Sequence, residues 1–387
     1  MAPDQAQLEQ AVAAVVDPEL DLTLGRTSMV REVRARRHRA TVVVALPVAA
    51  WPNRDELGSR VRAAAVGVPG VEEALVEFAV MDEAERAVLR TRLRADMAGD
   101  EPGAPAGGDD GHGHDHGDGA ATPAFLQAGS KTRVIGVGSG KGGVGKSSVT
   151  VNLAVALARS GRRVGILDAD VYGFSVPKML GAGQDPVVLG DMVIPTAAHG
   201  VRVLSMGFFV PDDQPVIWRG PMLHKAIEQF LGDAYWGEPD FLLVDMPPGT
   251  GDVTLSLAQV MPRAEMVVVT TPQAAAQRVA QRSAFAARKL KLSVRRVIEN
   301  MSWFTGDDGT RYELFGRGGG QRLATDLGVP LLGQVPLVPA LREGGDVGTP
   351  VAVADPDSEV ARTFDRLAER VATLGPARVY RRELTIR

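Results

Sequence analysis

The 387-residue chain contains no cysteine. Disulfides and thiolate metal sites are excluded together, because both require sulfur that this sequence does not supply. The chain also lacks an uncharged run of about 20 apolar residues, the length that crosses a bilayer. Its first ten residues, MAPDQAQLEQ, are polar rather than signal-like. We therefore expect a cytoplasmic protein that has no membrane partner.

An excess of charge of one sign is also missing. The sequence has 43 basic and 47 acidic residues, a net charge of −4 and a pI near 5.9. A nucleic-acid-binding protein usually carries a strong basic field, so we expect no nucleic-acid partner. The hydrophobic fraction of 45% is ordinary for a globular protein. The length allows two or three domains with sizeable cores.

The most informative motif is GKGGVGKS, from Gly140 to Ser147. An apolar run precedes it and a helical pattern follows, which is the strand–loop–helix context of a phosphate-binding loop rather than of a glycine-rich turn that binds nothing. Lys146 is expected to reach the β- and γ-phosphates of ATP, and the Ser147 hydroxyl to bind Mg²⁺. Lys141 is a second lysine that an ordinary loop does not need. The predicted nucleotide-binding residues of this segment are Gly140, Lys141, Gly142, Gly143, Val144, Gly145, Lys146, Ser147 and Ser148.

Two later segments supply carboxylates to the same site. RRVGILDADVYG predicts a buried strand ending in Asp168 and Asp170, whose side chains alternate in direction if the strand continues. DFLLVDMPPGTGD predicts a second buried strand that delivers Asp245 beside the magnesium. We predict Ser147, Asp168 and Asp245 as magnesium ligands, and Asp170 as the residue that orients the attacking water. Either Asp168 or Asp170 alone could instead be a strand-end cap. The predicted catalytic residues are Lys146 and Asp170, to which the family resemblance described below adds Lys141.

Strands that alternate with helices predict an α/β fold, a doubly wound and mostly parallel sheet with ligands at the carboxyl ends of its strands. We assign residues 131–387 to this P-loop ATPase domain, residues 98–130 to a flexible Gly/Asp/His-rich linker and residues 1–97 to a small α/β domain. In the linker, His112, His114 and His116 could bind a metal ion, but the composition favours a solvated segment. In the small domain we expect Asp4 to cap a helix, and Asn53 and Glu56 to form a capping box.

These motifs together resemble those of the Mrp/ApbC iron–sulfur cluster carrier ATPases, part of the deviant Walker A group that includes MinD and ParA. The shared segments are the doubled-lysine loop, DADVYG, WRGPMLHKA, DMPPGTGDV, TTPQ and ENMSWF. The resemblance implies an ATP hydrolase that works as a homodimer. It also implies that Lys141 reaches the partner's phosphates, that Asn300 contacts the adenine, and that Gly249 to Asp252 lie in a nucleotide-sensing switch. The implied partners are iron–sulfur assembly proteins or apo-protein clients.

The chain departs from this family at the cluster site. Family members carry a Cys-x-x-Cys pair after ENMS that bridges a [4Fe–4S] cluster across the dimer, whereas this chain has TGDDGTRYELFG there. The N-terminal segment resembles the small iron–sulfur assembly domain, but Trp51 precedes Pro52 where that domain commonly has a cysteine. ATP and Mg²⁺ are thus the expected cofactors, and the chain cannot hold a [4Fe–4S] cluster in the family's usual way.

Three functions stay open at this point. The chain could act as an ATPase in iron–sulfur cluster assembly or transfer, as a positioning ATPase of the MinD/ParA kind, or as an ATP-gated scaffold whose partners bring the cysteines. A small N-terminal domain that docks or regulates, and carries no chemistry, is the interpretation we favour for residues 1–97. Fold alone does not separate these functions.

Overall fold

A computed structural model of the chain describes residues 3–98, 130–209, 220–249, 251–261 and 264–373. These residues divide into two compact units. The described part of the first unit is residues 3–98 with Pro186–Thr196 and Asp233–Gly237, and the second unit contains the rest. The linker histidines at 112, 114 and 116 lie outside the described residues, as does the C-terminal segment from residue 374. Within the described ranges, no helix has both the length and the apolar character needed to span a membrane.

The first unit is built around a three-stranded sheet with helices packed on it. Its elements up to residue 98 are α1 (Gln5–Ala13), α2 (Leu24–Thr27), β1 (Val30–Arg36), β2 (Arg39–Leu46), α3 (Arg54–Val66), β3 (Glu73–Val80) and α4 (Glu83–Ala98). The strand order is β1-β2-β3, with β1 antiparallel and β3 parallel to β2. Ala40, Val42 and Val44 alternate along β2 and are fully buried, as expected for one covered face of a sheet.

Of the two helix caps predicted in this unit, one is confirmed and the other is wrong. Asp4 caps α1, and its Oδ1 accepts the backbone N–H of Ala6 at 2.9 Å. The capping box predicted at Asn53 and Glu56 is wrong, because the Asn53 side chain makes no cap bond and donates to Glu19 instead. Glu56 pairs with Arg60 one turn further along the helix.

The second unit contains an eight-stranded sheet. Its elements, together with the hairpin β6–β7 of the first unit, are β4 (Arg133–Ser139), α5 (Lys146–Arg159), β5 (Val164–Asp168), α6 (Val176–Leu180), β6 (Val187–Leu189), β7 (Met192–Ile194), β8 (Thr196–Ala198), β9 (Val201–Ser205), a 3₁₀ turn (Met206–Phe209), α7 (Gly220–Gly232), β10 (Phe241–Asp245), α8 (Asp252–Val260), β11 (Glu265–Thr270), α9 (Ala274–Lys289), β12 (Ser293–Glu299), β13 (Phe304–Thr305), β14 (Arg311–Tyr312), α10 (Gly319–Leu327), β15 (Leu331–Gln334), α11 (Pro339–Val347), α12 (Val351–Ala354) and α13 (Glu359–Thr373).

The order of the large sheet is β15-β12-β11-β4-β10-β5-β9-β8. The seven strands from β15 to β9 all pair in parallel. Every residue of β5, β10 and β11 is buried, as helices on both faces of a parallel sheet require. The predicted α/β fold with a mostly parallel, doubly wound sheet is confirmed.

Strand register aligns the carboxyl ends of the three central strands. Asp245, the last residue of β10, lies beside Val137 of β4 on one side and beside Asp168 of β5 on the other. The alternating side-chain direction predicted for Asp168 and Asp170 requires that the strand continue to Asp170. The strand β5 ends at Asp168, and Asp170 lies in the following turn. Ligands of parallel sheets bind at this edge, and the loop after β4 opens there.

The core of the first unit draws on three separate stretches of the chain. Leu189, Met192 and Ile194 of the β6–β7 hairpin are buried in the same apolar cluster as Leu89 and Leu93. Tyr235 joins this cluster, and its hydroxyl lies 2.8 Å from Asp96 Oδ2. Nothing in the local sequence of residues 186–196 signals this long-range packing.

Candidate nucleotide site

The loop after β4 passes so close to its neighbours that two of its positions admit only glycine. A Cβ added at Gly140 would lie 2.2 Å from the backbone nitrogen of Ala280 in α9. Gly145 has a φ of +76°, and a Cβ there would lie 2.3 Å from Asn300 Nδ2. The left-handed backbone of Gly145 turns the chain into α5, whose first turn has backbone N–H groups without partners inside the helix.

Lys146 and Asp245 form the buried centre of the site. The Lys146 ammonium lies 2.5 Å from Asp245 Oδ2, and the Ser147 hydroxyl donates to the same oxygen at 2.6 Å. Thr150 Oγ1 lies 2.7 Å from the other oxygen, Oδ1. Asp245 is fully buried, and these three partners offset the cost of burying its charge.

Asp168 lies on the neighbouring strand and is also fully buried. Its Oδ2 accepts the backbone N–H groups of Ser175 and Val176 at 3.1 and 3.2 Å, and the Ser205 hydroxyl at 3.1 Å. Burial, followed by the negative charge of Asp245, raises the pKa of Asp168 to about 7. Additional positive charge nearby would lower this pKa and favour the ionised carboxylate.

Asp170 faces the same centre from the turn after β5. Its Oδ2 lies 3.8 Å from the Lys146 ammonium. Burial raises the pKa of the Asp170 carboxyl, and the charge of Lys146 opposes that shift. Asp170 also lines the cavity above the loop, which the fully buried Asp168 and Asp245 do not.

The structure brings the predicted magnesium ligands together at one edge of the sheet. A hydroxyl from Ser147 and carboxylates from Asp168 and Asp245 are hard oxygen donors, which is the donor set that Mg²⁺ prefers. The Ser147 hydroxyl and Asp245 already touch. These residues fit a magnesium ion that is also bound by phosphate oxygens.

Two adjacent cavities lie over the loop, and we call them together the trough. The first, of about 220 Å³, is lined by the loop residues from Lys141 to Ser148 together with Asp170 and Pro248. The second, of about 190 Å³, is lined by Asn300, Met301 and the segment from Pro336 to Asp346. Gly145, Ser148 and Met179 line both cavities. One end of the trough is thus rich in backbone N–H and charge, and the other is mostly apolar.

Asn300 stands between the loop and the apolar end of this trough. Its Nδ2 donates to the carbonyl of Val144 at 2.9 Å, which fixes the orientation of the amide. Its Oδ1 is buried and has no hydrogen-bond partner among the described residues. Because Asn300 is only 4% exposed, this acceptor requires a donor from a ligand or from water.

Lys141 contacts its own subunit. Its ammonium donates to Gln273 Oε1 at 3.2 Å, and Gln273 is the residue that precedes α9. The two residues are 132 positions apart in the sequence, so no local pattern signals their contact. Sequence reasoning also missed Met179 and Thr150, although Thr150 lies one helical turn after Lys146, where it necessarily faces the same side of α5.

The remaining predicted segments are partly described. Gly249 donates its N–H to the Ser139 carbonyl at 2.9 Å and accepts from Ser283 at 3.0 Å, whereas Thr250 lies outside the described residues. In the segment where the resemblance implied a Cys-x-x-Cys pair, residues 304–312 form the β13–β14 hairpin. In the first unit, Trp51 Nε1 donates to Asp17 Oδ2 at 3.1 Å. No group of three or more His, Asp or Glu side chains in the described ranges is arranged to hold a metal ion by itself.

Comparison with known proteins assigns this architecture. The family described as NUBPL iron-transfer P-loop NTPase matches residues 130–372, and the family described as iron–sulfur cluster assembly protein matches residues 5–76. An iron–sulfur cluster carrier protein of Mycobacterium leprae is 43% identical over 376 residues, which is 95% of this chain and 93% of that protein. One from Deinococcus radiodurans is 42% identical over 94% of both chains.

A solved structure is also similar to part of the chain. A nucleotide-binding protein from Archaeoglobus fulgidus in complex with ADP is 34% identical, with a TM-score of 0.51, over 60% of this chain and 93% of that one. The resemblance inferred from the loop, DADVYG and DMPPGTGDV is thereby confirmed. This chain belongs to the family of NUBPL iron-transfer P-loop NTPases and carries an iron–sulfur cluster assembly domain ahead of the NTPase domain.

Proposed function

We propose that the chain binds ATP with Mg²⁺ in the trough and hydrolyses it slowly. The observation that supports this best is that the cavity at the loop and the cavity at Asn300 lie side by side and share Gly145, Ser148 and Met179 as lining. Its charged end suits a polyphosphate and its apolar end suits a nucleobase. The related archaeal protein binds ADP, which supports the same type of ligand.

Each residue of the charged end has a proposed role. Lys146 exchanges its contact with Asp245 for the β- and γ-phosphates, and the loop N–H groups hold the phosphate oxygens. Ser147, Asp168 and Asp245 would hold a magnesium ion, which would supply positive charge beside the phosphates. Asp170 reaches the cavity and orients the attacking water. Catalysis rests on positioning and charge rather than on a covalent intermediate.

Asn300 gives the site a proposed preference for adenine. Its Nδ2 is committed to Val144, so only the Oδ1 acceptor is available to a base. Adenine offers an exocyclic amino donor at its pairing edge, whereas guanine offers a carbonyl oxygen at the equivalent position. A buried acceptor left facing that oxygen would cost affinity for GTP.

We propose that two copies of the chain act as a switching dimer, in which Lys141 leaves Gln273 and contacts the partner's nucleotide. The process served is iron–sulfur cluster assembly or transfer, as the names of the relatives suggest. In this proposal the cluster is cargo. Because the chain has no cysteine, the thiolates that hold the cluster come from assembly proteins or from apo-protein clients.

We propose the domain division 1–97, 98–130 and 131–387 for this arrangement, with the segments Pro186–Thr196 and Asp233–Gly237 of the last part packed in the first unit. Nucleotide chemistry is confined to the last part, and docking of partners is assigned to the first. The family matches at residues 5–76 and 130–372 support that division of roles.

Steady-state hydrolysis of MgATP tests the proposed chemistry. We expect slow turnover by the wild type, and a loss of turnover with retained ATP binding in Asp170→Ala, because Asp170 positions water rather than phosphate. Asp185→Ala serves as a matched control outside the trough. Full turnover in Asp170→Ala would contradict the assigned role, and absent turnover in the wild type would contradict hydrolysis itself.

A further inference from the structure

Gln273, the residue that precedes α9, bonds Lys141 with its side chain instead of capping the helix. Gln273 precedes α9 with extended backbone angles, the position at which a short polar side chain normally bonds the first free N–H groups of the helix. Its side chain makes no such bond. Instead its Oε1 accepts from the Lys141 ammonium at 3.2 Å.

Helix α9 is also fixed against the loop that carries Lys141. Gly140 packs directly on the backbone of Val279 and Ala280, so closely that no side chain fits between them. Ser283, on the same helix, bonds the carbonyl of Gly249, whose own N–H reaches Ser139 at the start of the loop. The distance between the backbones of Lys141 and Gln273 is therefore set by rigid packing.

We propose that Gln273 is a positioning residue that holds Lys141 within its own subunit between turnovers. This inference rests on the proposed function, in which Lys141 must leave its own subunit to reach the partner's nucleotide. A neutral amide suits this purpose because it accepts one hydrogen bond from the ammonium and releases it at modest cost. A carboxylate at the same place would add charge to the bond and hold the lysine more tightly.

The first test measures the contact itself, without nucleotide. Nucleotide-free protein is labelled with trace acetic anhydride at pH 8, and the labelling rate of Lys141 is compared with that of the exposed Lys289 in the same sample. We expect the relative rate to rise at least twofold in Gln273→Ala and to fall at least twofold in Gln273→Glu. Equal rates in both variants and the wild type would overturn the proposal.

The second test measures the consequence for turnover. We expect Gln273→Glu to lower kcat at least fivefold and Gln273→Ala to raise it at least twofold, with KM for ATP within twofold of the wild type because Lys146 and the loop are untouched. The matched control is Gln281→Ala, two turns along the same helix, for which kcat should stay within 1.5-fold of the wild type because Gln281 bonds Asp326 rather than the loop. A purely structural role of Gln273 would move the melting temperature but would not give opposite changes in kcat.

A double variant separates failure of this inference from failure of the proposed function. Lys141→Ala should lower kcat at least tenfold, and adding Gln273→Glu should lower it no further, because the two residues act through one contact. Normal turnover in Lys141→Ala would contradict the proposed role of the lysine. Impaired turnover in Lys141→Ala with a normal kcat in Gln273→Glu would overturn the holding role of Gln273 alone.

Discussion

Replacing Gly145 with alanine tests how the loop and the base end of the trough depend on each other. The φ of +76° at this position costs a residue with a Cβ about 1 to 2 kcal/mol. The new methyl group would also lie 2.3 Å from Asn300 Nδ2, so the amide must move, and we expect this movement to break its 2.9 Å bond to Val144. Loss of a buried bond of this kind costs about 1 kcal/mol or more. We expect Gly145→Ala to lower the free energy of unfolding by about 2 to 3 kcal/mol.

Urea denaturation of the nucleotide-free protein measures this change, and an ATP titration of the same variant should show an affinity at least tenfold weaker because Asn300 is displaced. Gly142→Ala is the matched control from the same loop. A Cβ at Gly142 meets nothing within 4 Å, so its stability should stay within about 0.5 kcal/mol of the wild type. Equal stability of the two variants would refute the packing argument.

Further predictions concern charge, assembly and metal. The pKa of Asp168 is about 7 against 3.8 for an ordinary aspartate, so the stability contributed by its neutral carboxyl is complete below about pH 4 and is lost as the pH rises through 7. Measured against Asp168→Asn in EDTA, the free energy of unfolding of the wild type should fall by about 2 to 3 kcal/mol between pH 5 and pH 8. Parallel pH profiles of the two proteins would contradict this. Mixed dimers of Lys141→Ala and Asp170→Ala subunits should turn over ATP at a rate that departs from the mean of the two homodimers, whereas strict averaging would argue against a shared site. Anaerobic reconstitution with iron and sulfide should leave no cluster absorption, and any retained iron should be lost when His112, His114 and His116 are replaced; about four irons per dimer after those replacements would show that other ligands exist.

The sequence was sufficient for the parts of the site that are local in the chain. The loop from Gly140 to Ser147 is a continuous pattern whose backbone needs are met by its own glycines, so its structure follows from the motif. Asp168 and Asp245 were identifiable because each ends a buried apolar run, and parallel strands place such ends side by side. The fold class followed from the same alternation of strands and helices.

Contacts between residues far apart in the chain could not be predicted from local sequence patterns. The side chain of Asn53 had a local role available as a helix cap, but the bond to Glu19, 34 positions away, replaced it. The contact of Lys141 with Gln273 and the packing of the 186–196 segment into the first unit depend equally on tertiary structure. Local propensity gives no information about which distant partner competes for a polar side chain.

Calorimetric titration of the nucleotide-free protein with ATP in magnesium buffer tests the central claim most directly. We expect one ATP per chain for the wild type and for the control Lys131→Ala, whose lysine lies outside the trough. Lys146→Ala should bind at least 100-fold more weakly, equivalent to about 2.7 kcal/mol, because it loses the ammonium that meets the phosphates. Equal affinity of Lys146→Ala and the wild type would contradict the assignment of the trough as the nucleotide site.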